Sequence, residues 1–261
     1  MVYVFKHGLH QTIYHSKYRI NEFTYSNHLI QRIMDSLKKR LYADSVEFSY
    51  HAATPILTGV HIQCDIGEIV GLLGRNGCGK STLMKIIFGI IKANHAYIRI
   101  NNKKYTKGYL SKKVCYLPQH KFIPNYLSIM SAVKLMVDDT AKQHILLNQD
   151  EIISKIKQQK VAELSGGEIR YIELMLLLQQ DADFYLLDEP FSGATPYLQT
   201  QIQQVIVNKS KDKGFIISDH HYNSVLDIAT RMVLLQNGGC RKIETKKDLE
   251  LFYVPEGTFD E

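Results

Sequence analysis

The run Gly74-Arg75-Asn76-Gly77-Cys78-Gly79-Lys80-Ser81 sets glycines, a lysine and a hydroxyl in the spacing GxxxxGK[ST], with Thr82 next. The chemistry that needs those residue types at that spacing is phosphate binding. Glycines let the backbone curl until successive N–H groups face one concavity, which phosphate oxygens can fill. A helix that opens at the loop adds the positive end of its dipole. Lys80 can reach β- and γ-phosphates, and the Ser81 hydroxyl can ligate Mg²⁺. An ordinary glycine-rich turn is the competing reading. The strand-like run Glu68–Leu73 before the motif and the helical apolar spacing of Ser81–Ile91 after it count against that turn.

Phe184-Tyr185-Leu186-Leu187-Asp188-Glu189 is an apolar strand ending in two carboxylates. A buried parallel strand delivers its last residues to the carboxyl edge of the sheet, where open α/β folds bind ligands. Asp188 there can hold Mg²⁺, directly or through water. Glu189 can polarise a water for in-line attack on a γ-phosphate. Without the phosphate loop, the pair would read as two solvated acids opening a turn before Pro190.

Between these motifs stands Leu164-Ser165-Gly166-Gly167-Glu168. A serine and two glycines opening a helix make a second anion site by the same N-terminal logic. Taken alone, the stretch reads as a serine-capped helix start.

Together the three motifs resemble the nucleotide-binding domain of ABC transporters, whose signature Leu164–Glu168 matches. Other elements of that family come in its order. Gln119, in Tyr116-Leu117-Pro118-Gln119, is similar to the glutamine that touches Mg²⁺ and the attacking water. His220, in Ile217-Ser218-Asp219-His220, is similar to the histidine that contacts the γ-phosphate. Tyr50 stands where the family places a ring that stacks on adenine, although a strand-end aromatic packing on the core would look the same. The resemblance spans about residues 41 to 245. It implies ATP and Mg²⁺ as ligands, and two subunits stacked head to tail so that the signature of one caps ATP held by the other. The second ATPase subunit would be an identical copy or a paralogue, and a transmembrane permease subunit would receive the work. The chain would then be cytoplasmic and peripheral on the inner face of the cell membrane, with no nucleic-acid partner. Two alternatives are a soluble non-transport ATPase of the same class, serving iron–sulfur assembly or nucleic acid, and a weakly catalytic regulatory partner.

Some residues depart from the family pattern. Ser192-Gly193-Ala194-Thr195-Pro196 puts Thr195 where an aspartate is usual, and Tyr171 and Leu176 stand where arginine is common. Hydrolysis is still expected, with weaker coupling between paired sites. His221 reads as a surface neighbour of His220, and the other histidines show no metal-ligand spacing. The stretch from Leu164 to Pro196, with Asp219-His220, looks most like ATPases of branched-chain amino-acid importers and lipopolysaccharide exporters, and it predicts no cargo.

Elements must exist to position these residues. Strands are expected at Ser45–Tyr50, Glu68–Leu73, Ala96–Ile100, Lys113–Leu117, Phe184–Leu187 and Phe215–Ser218. Helices are expected from Ser81, from about Glu168 and from about Tyr197, with a last helix and strand around Asn223–Leu235 and then a charged tail. The basic stretch Arg241–Lys247 within that tail reads as a solvated face. Strands alternating with helices argue for an α/β core with a mainly parallel sheet. Residues of about 120 to 165 read as a helical insert, with apolar positions at Leu127, Met130, Val133 and Met136. The resemblance completes the picture as a P-loop NTPase core with an N-terminal antiparallel β-subdomain and an inserted α-helical subdomain. On this reading 41–261 form the ATPase domain. Residues 1–40 form either a loosely docked or disordered extension, or a stretch preceding a natural start at Met34.

Composition excludes several classes. The 261 residues are 45% hydrophobic and 22% charged, which suits a globular chain. The net charge of +6 fits nucleotide, anionic lipid or nucleic acid equally well. Cys64, Cys78, Cys115 and Cys240 are scattered without metal-like or disulfide spacing, as in a reducing cytosol. The best apolar runs, Ile86–Ile91 and Leu174–Leu178, fall far short of the ~20 residues that span a bilayer. No secretory apolar core is seen near Met1.

Overall fold

A computed structural model describes residues 39–51, 54–254 and 258. The readings made of residues 1–38 lie outside the described residues.

The first strand, β1 (Arg40–His51), pairs antiparallel with β2 (Thr54–Asp65) on one side and with β4 (His95–Ile100) on the other. Strand β5 (Lys103–Tyr105) closes that sheet beyond β4. The alternation legible from Ser45 onward is only half of β1. Leu41 and Ala43 face the core, then a bulge at Ser45, with φ 50°, shifts the phase so that Val46 faces it next. The neighbouring strand β2 was not expected, because Pro55 and Gly59 punctuate it like a loop. Gly59 answers the bulge: Val46 pairs with Val60 and Glu47 with Thr58.

The second sheet has the order β10-β9-β3-β8-β7-β6. Its strands are β3 (Ile69–Leu73), β6 (Val114–Leu117), β7 (Phe184–Asp188), β8 (Gly214–Ser218), β9 (Arg231–Gln236) and β10 (Gly239–Ile243). All pairs are parallel except β9 with β10. Every position of β3, β7 and β8 is buried, which is why each reads as an unbroken apolar run. Alternate residues serve two cores. Val70, Leu72, Leu186 and Ile216 pack toward the antiparallel sheet and α1 (Lys80–Phe88). Ile69, Leu73, Leu187 and Ile217 pack toward the helices of the opposite face.

Those helices begin with α2 (Ile129–Met136), α3 (Thr140–Asn148) and α4 (Ile153–Ile156), which stand between β6 and α5 (Gly166–Leu177). Ser128 caps α2 by accepting from Ser131 N, and Asp139 caps α3 by accepting from Ala141 N and Lys142 N. Helix α6 (Pro196–Ser210) precedes β8, and α7 (Tyr222–Leu226) comes after it.

The charged tail is more structured than expected. It contains β10 and α8 (Lys246–Phe252), whose start is a capping box of Thr245 with Asp248. Arg241 and Lys242 are exposed, while Ile243 and Leu249 are buried. The solvated-face reading of Arg241–Lys247 therefore holds for Arg241, Lys242, Glu244, Thr245 and Lys247, and fails at Ile243, which faces the core. Among the described residues no helix is long and apolar enough to cross a membrane. The four cysteines are free thiols.

Candidate active site

Parallel strands deliver the chemically suggestive residues to one sheet edge. The glycine loop comes after β3, His220 after β8, Glu189 after β7 and Gln119 after β6. These four strands are consecutive neighbours in the sheet. A cleft of about 460 Å³ opens there, lined by Tyr50, Lys80, Ser81, Gln119, Glu189 and His220 among others.

The loop turns into α1 at Gly79, whose φ of 109° is a conformation that L side chains rarely adopt. Lys80 Nζ donates to the Gly74 carbonyl at 2.5 Å and to that of Arg75 at 3.2 Å, so its ammonium lies over the loop's concavity. Ser81 Oγ donates to Asp188 Oδ1 at 3.0 Å, and the Tyr116 hydroxyl donates to Oδ2 at 3.0 Å. Burial, first, and then the neighbouring Asp188 charge push the Tyr116 phenol well up, which keeps it a donor. Burial likewise raises the Asp188 carboxyl, against the opposing pull of its bonds from Ser81 and Tyr116.

Glu189 adopts φ 55°, an uncommon region for a residue with a side chain. Its N–H donates to the Ser218 carbonyl at 2.7 Å. Gln119 Nε2 donates to Glu189 Oε1 at 2.8 Å, while His220 Nδ1 stands 3.7 Å from Oε2. Tyr50 is at the cleft's edge, its hydroxyl 3.2 Å from Thr82 Oγ1 and its ring edge-on to Phe48. An arrangement of this kind can hold an anion at the loop and present a carboxylate to water beside it.

Leu164 to Glu168 do not line this cleft. Ser165 caps α5 and forms a capping box with Glu168, whose Oε2 accepts from Ser165 N at 2.8 Å. The two glycines differ. A Cβ on Gly166 would meet nothing within 4 Å, whereas one on Gly167 would stand 2.7 Å from Gly193 O and Ala194 Cα.

Sequence reasoning missed Arg170. Its buried guanidinium donates from Nε to Glu189 O at 2.8 Å, from Nη1 to Pro118 O at 2.6 Å, and from Nη2 to Asp188 O. Glu173 pairs with it at 3.3 Å and accepts from Phe122 N at 2.6 Å. The signal was present as Arg170 and Glu173, two charges three residues apart in the otherwise apolar run Ile169–Leu178, a spacing that puts them side by side.

The family model of the ABC transporter matches residues 57–192, just over half of the chain. The chain belongs to this family. It is 30% identical over 232 residues to an uncharacterized ABC transporter ATP-binding protein of Methanocaldococcus jannaschii, covering 82% of this chain and 91% of that one. It is 29% identical over 215 residues to the lipopolysaccharide export system ATP-binding protein LptB of Acidithiobacillus ferridurans, covering 77% and 88%. Among solved structures, the ATP binding subunit of an ABC transporter superposes with TM-score 0.70 at 22% identity, over 81% of this chain and 92% of that one. A bacterial Atm1-family ABC exporter with ATP bound gives 0.72 at 18%, over 90% and 46%. Both share the fold. The chain is thus an ABC transporter subunit that binds and hydrolyses ATP.

Three departures of this ABC ATPase acquire local reasons. Thr195 caps α6, its Oγ1 accepting from Leu198 N, a job aspartate does equally well; the cap survives and the charge is lost. Tyr171 donates to Asp150 Oδ2 at 2.8 Å, tying α5 to the loop before α4, and Leu176 is buried in the core.

Two outcomes test this geometry. Arg170→Leu removes a donor from three carbonyls and the countercharge from the buried Glu173 carboxylate, so urea denaturation should show a loss of about 3–5 kcal/mol. A cost within ~0.5 kcal/mol of zero would contradict the role assigned to it. For Asp188 the sign runs through its raised folded-state pKa. The ionised form costs stability at neutral pH, and that cost disappears as pH falls through the folded value toward the unfolded one. Asp188→Asn should therefore raise the urea midpoint of nucleotide-free protein at about pH 7.5, and the gap should close toward about pH 4. A lower midpoint than wild type at neutral pH would refute the desolvated carboxylate.

Proposed function

We propose that this subunit holds Mg-ATP in the cleft beside the glycine loop and hydrolyses it as one of two stacked ATPase subunits, driving a separate transmembrane permease from the cytoplasmic face of the membrane. The observation that carries the proposal is the placement of the Glu189 carboxylate between Gln119 and His220, next to the Ser81–Asp188 pair.

Residues Gly74 to Thr82 cradle the phosphates with backbone N–H groups, and Lys80 exchanges its loop carbonyls for β- and γ-phosphate oxygens. The Ser81 hydroxyl and the Asp188 carboxylate, side by side at 3.0 Å, are an all-oxygen pair of the kind that suits Mg²⁺ with its remaining waters. They and Gln119 would hold the ion, which when bound offsets charge on the phosphate oxygens. Glu189 accepts the proton of the attacking water, Gln119 orients that water, and His220 donates to the γ-phosphate. Tyr50 stacks on the adenine.

The signature serves a different nucleotide from the one its own loop holds. Ser165 and the open face of Gly166 point a helix start outward, so Leu164 to Glu168 cap ATP bound by the opposing subunit. The helical insert offers the permease a surface: Tyr126, Leu135 and Ile145 are large apolar side chains left exposed there.

Glu189→Gln should lower phosphate release by about 10²–10⁴-fold while ATP binding persists, and ATP should then accumulate a dimer visible by light scattering. A variant that stays monomeric with ATP would overturn the stacked arrangement. The two signature glycines should separate. Gly167→Ala, with its Cβ against backbone, should cost about 1–3 kcal/mol of stability. Gly166→Val should fold as well as wild type yet lose ATP-driven pairing and turnover. Equal thermal shifts in both variants would contradict the division between them.

A further inference from the structure

We propose that Asp219, His220 and His221 form a site for a divalent transition-metal ion of the zinc class, and that filling it withdraws His220 from ATP and stops turnover. One ligand atom from each of the three residues lies within 4.8 Å of the other two, a cluster found among the described residues at the turn between β8 and α7. Consecutive residues of an extended chain point to opposite sides. Here the turn at His221, with ψ 66°, brings both imidazoles together, their ring centroids 4.2 Å apart.

Asp219 is a fixed anchor. It is buried, Oδ2 accepts from Phe191 N at 2.9 Å, and Oδ1 accepts from His221 N at 2.9 Å. His220 Nδ1 stands 3.5 Å from Asp219 Oδ1, outside the usual range of an N–H···O hydrogen bond. That separation is close to the edge of a tetrahedron, about 3.4 Å, whose corners are donors bound to zinc. Glu189 Oε2, 3.7 Å from the same nitrogen, is within reach as a further oxygen donor. Two imidazoles with one carboxylate favour Zn²⁺, Cu²⁺ or Ni²⁺ over Mg²⁺, whose preference is for all-oxygen surroundings such as Ser81 with Asp188. The two sites therefore do not compete for one ion. His220 and His221 are both exposed, so an ion can enter from solvent.

The site rests on this geometry alone, whereas the brake rests on the role of His220 proposed above. The test uses the full chain stripped with chelator. Zn²⁺ is first titrated without nucleotide by calorimetry, and Co²⁺ is followed by its visible absorption. Phosphate release from Mg-ATP is then measured at buffered free Zn²⁺. In His221→Asn, binding should weaken by about tenfold or more, with one equivalent and the Co²⁺ bands lost. Wild-type turnover should fall over the concentrations at which the site fills and return with chelator. The variant should keep basal turnover and need about tenfold more zinc for the same loss. Identical zinc binding in wild type and variant would remove the site. A filled site with unchanged turnover would remove the brake. Wild type that is inactive even in chelator would count against the roles given to the cleft, and the nucleotide-free titration would still decide the site.

Discussion

The Arg170 guanidinium sits where two segments of chain converge with three main-chain carbonyls pointing inward, those of Pro118, Asp188 and Glu189. Buried carbonyls without partners are expensive, and a rigid fork of donors satisfies several at once where an ammonium would not. Glu173 supplies the countercharge and also accepts from Phe122 N, fixing the chain beyond Gln119. The glutamine, the acidic edge and helix α5 thus share one polar knot. Because desolvating ions offsets much of their attraction, the knot contributes definition of position more than net stability.

That definition of position matters because the residues it holds are not at ease. Glu189 lies in the left-handed region, at a cost on the order of 1–3 kcal/mol for a residue with a Cβ. The conformation persists since both its main-chain polar groups are engaged, N–H by Ser218 and C=O by Arg170. Asp188 is held nearly dry beside it, and burial raises its carboxyl pKa above the usual carboxylate value. Such discomfort is tolerable only on a scaffold that is stable elsewhere, and two cores flanking β3, β7 and β8 provide it.

Much of this was legible in the residues. Loop and acidic strand declared themselves because phosphate binding restricts residue type at each position, and buried parallel strands read as unbroken apolar runs. What escaped notice did so for physical reasons. Strand β2 carries Pro55 and Gly59, residues that normally end a strand, and only the bulge opposite explains them. Helix α8 was hidden by its charges although Thr245 and Asp248 spelled a capping box. Arg170 and Tyr116 serve backbone and carboxylate groups far away in sequence, and such partners become visible only once the sheet brings them together.

Helix α5 joins these pieces mechanically. Its first turn carries Ser165 and Gly166, and Gly167 presses on Gly193 and Ala194, the segment leading to the Thr195 cap of α6. Arg170 comes five residues after Ser165, about 7.5 Å along the axis, and grips the carbonyls of Asp188 and Glu189. A helix this short does not bend appreciably between two such fixed points. The acidic edge and the exposed Gly166 are thus held by one short rigid element. The segment from Glu189 to Ala194 reaches Gly167 as well, so the acidic edge and the start of α5 are joined twice, once through Arg170 and once through this packing.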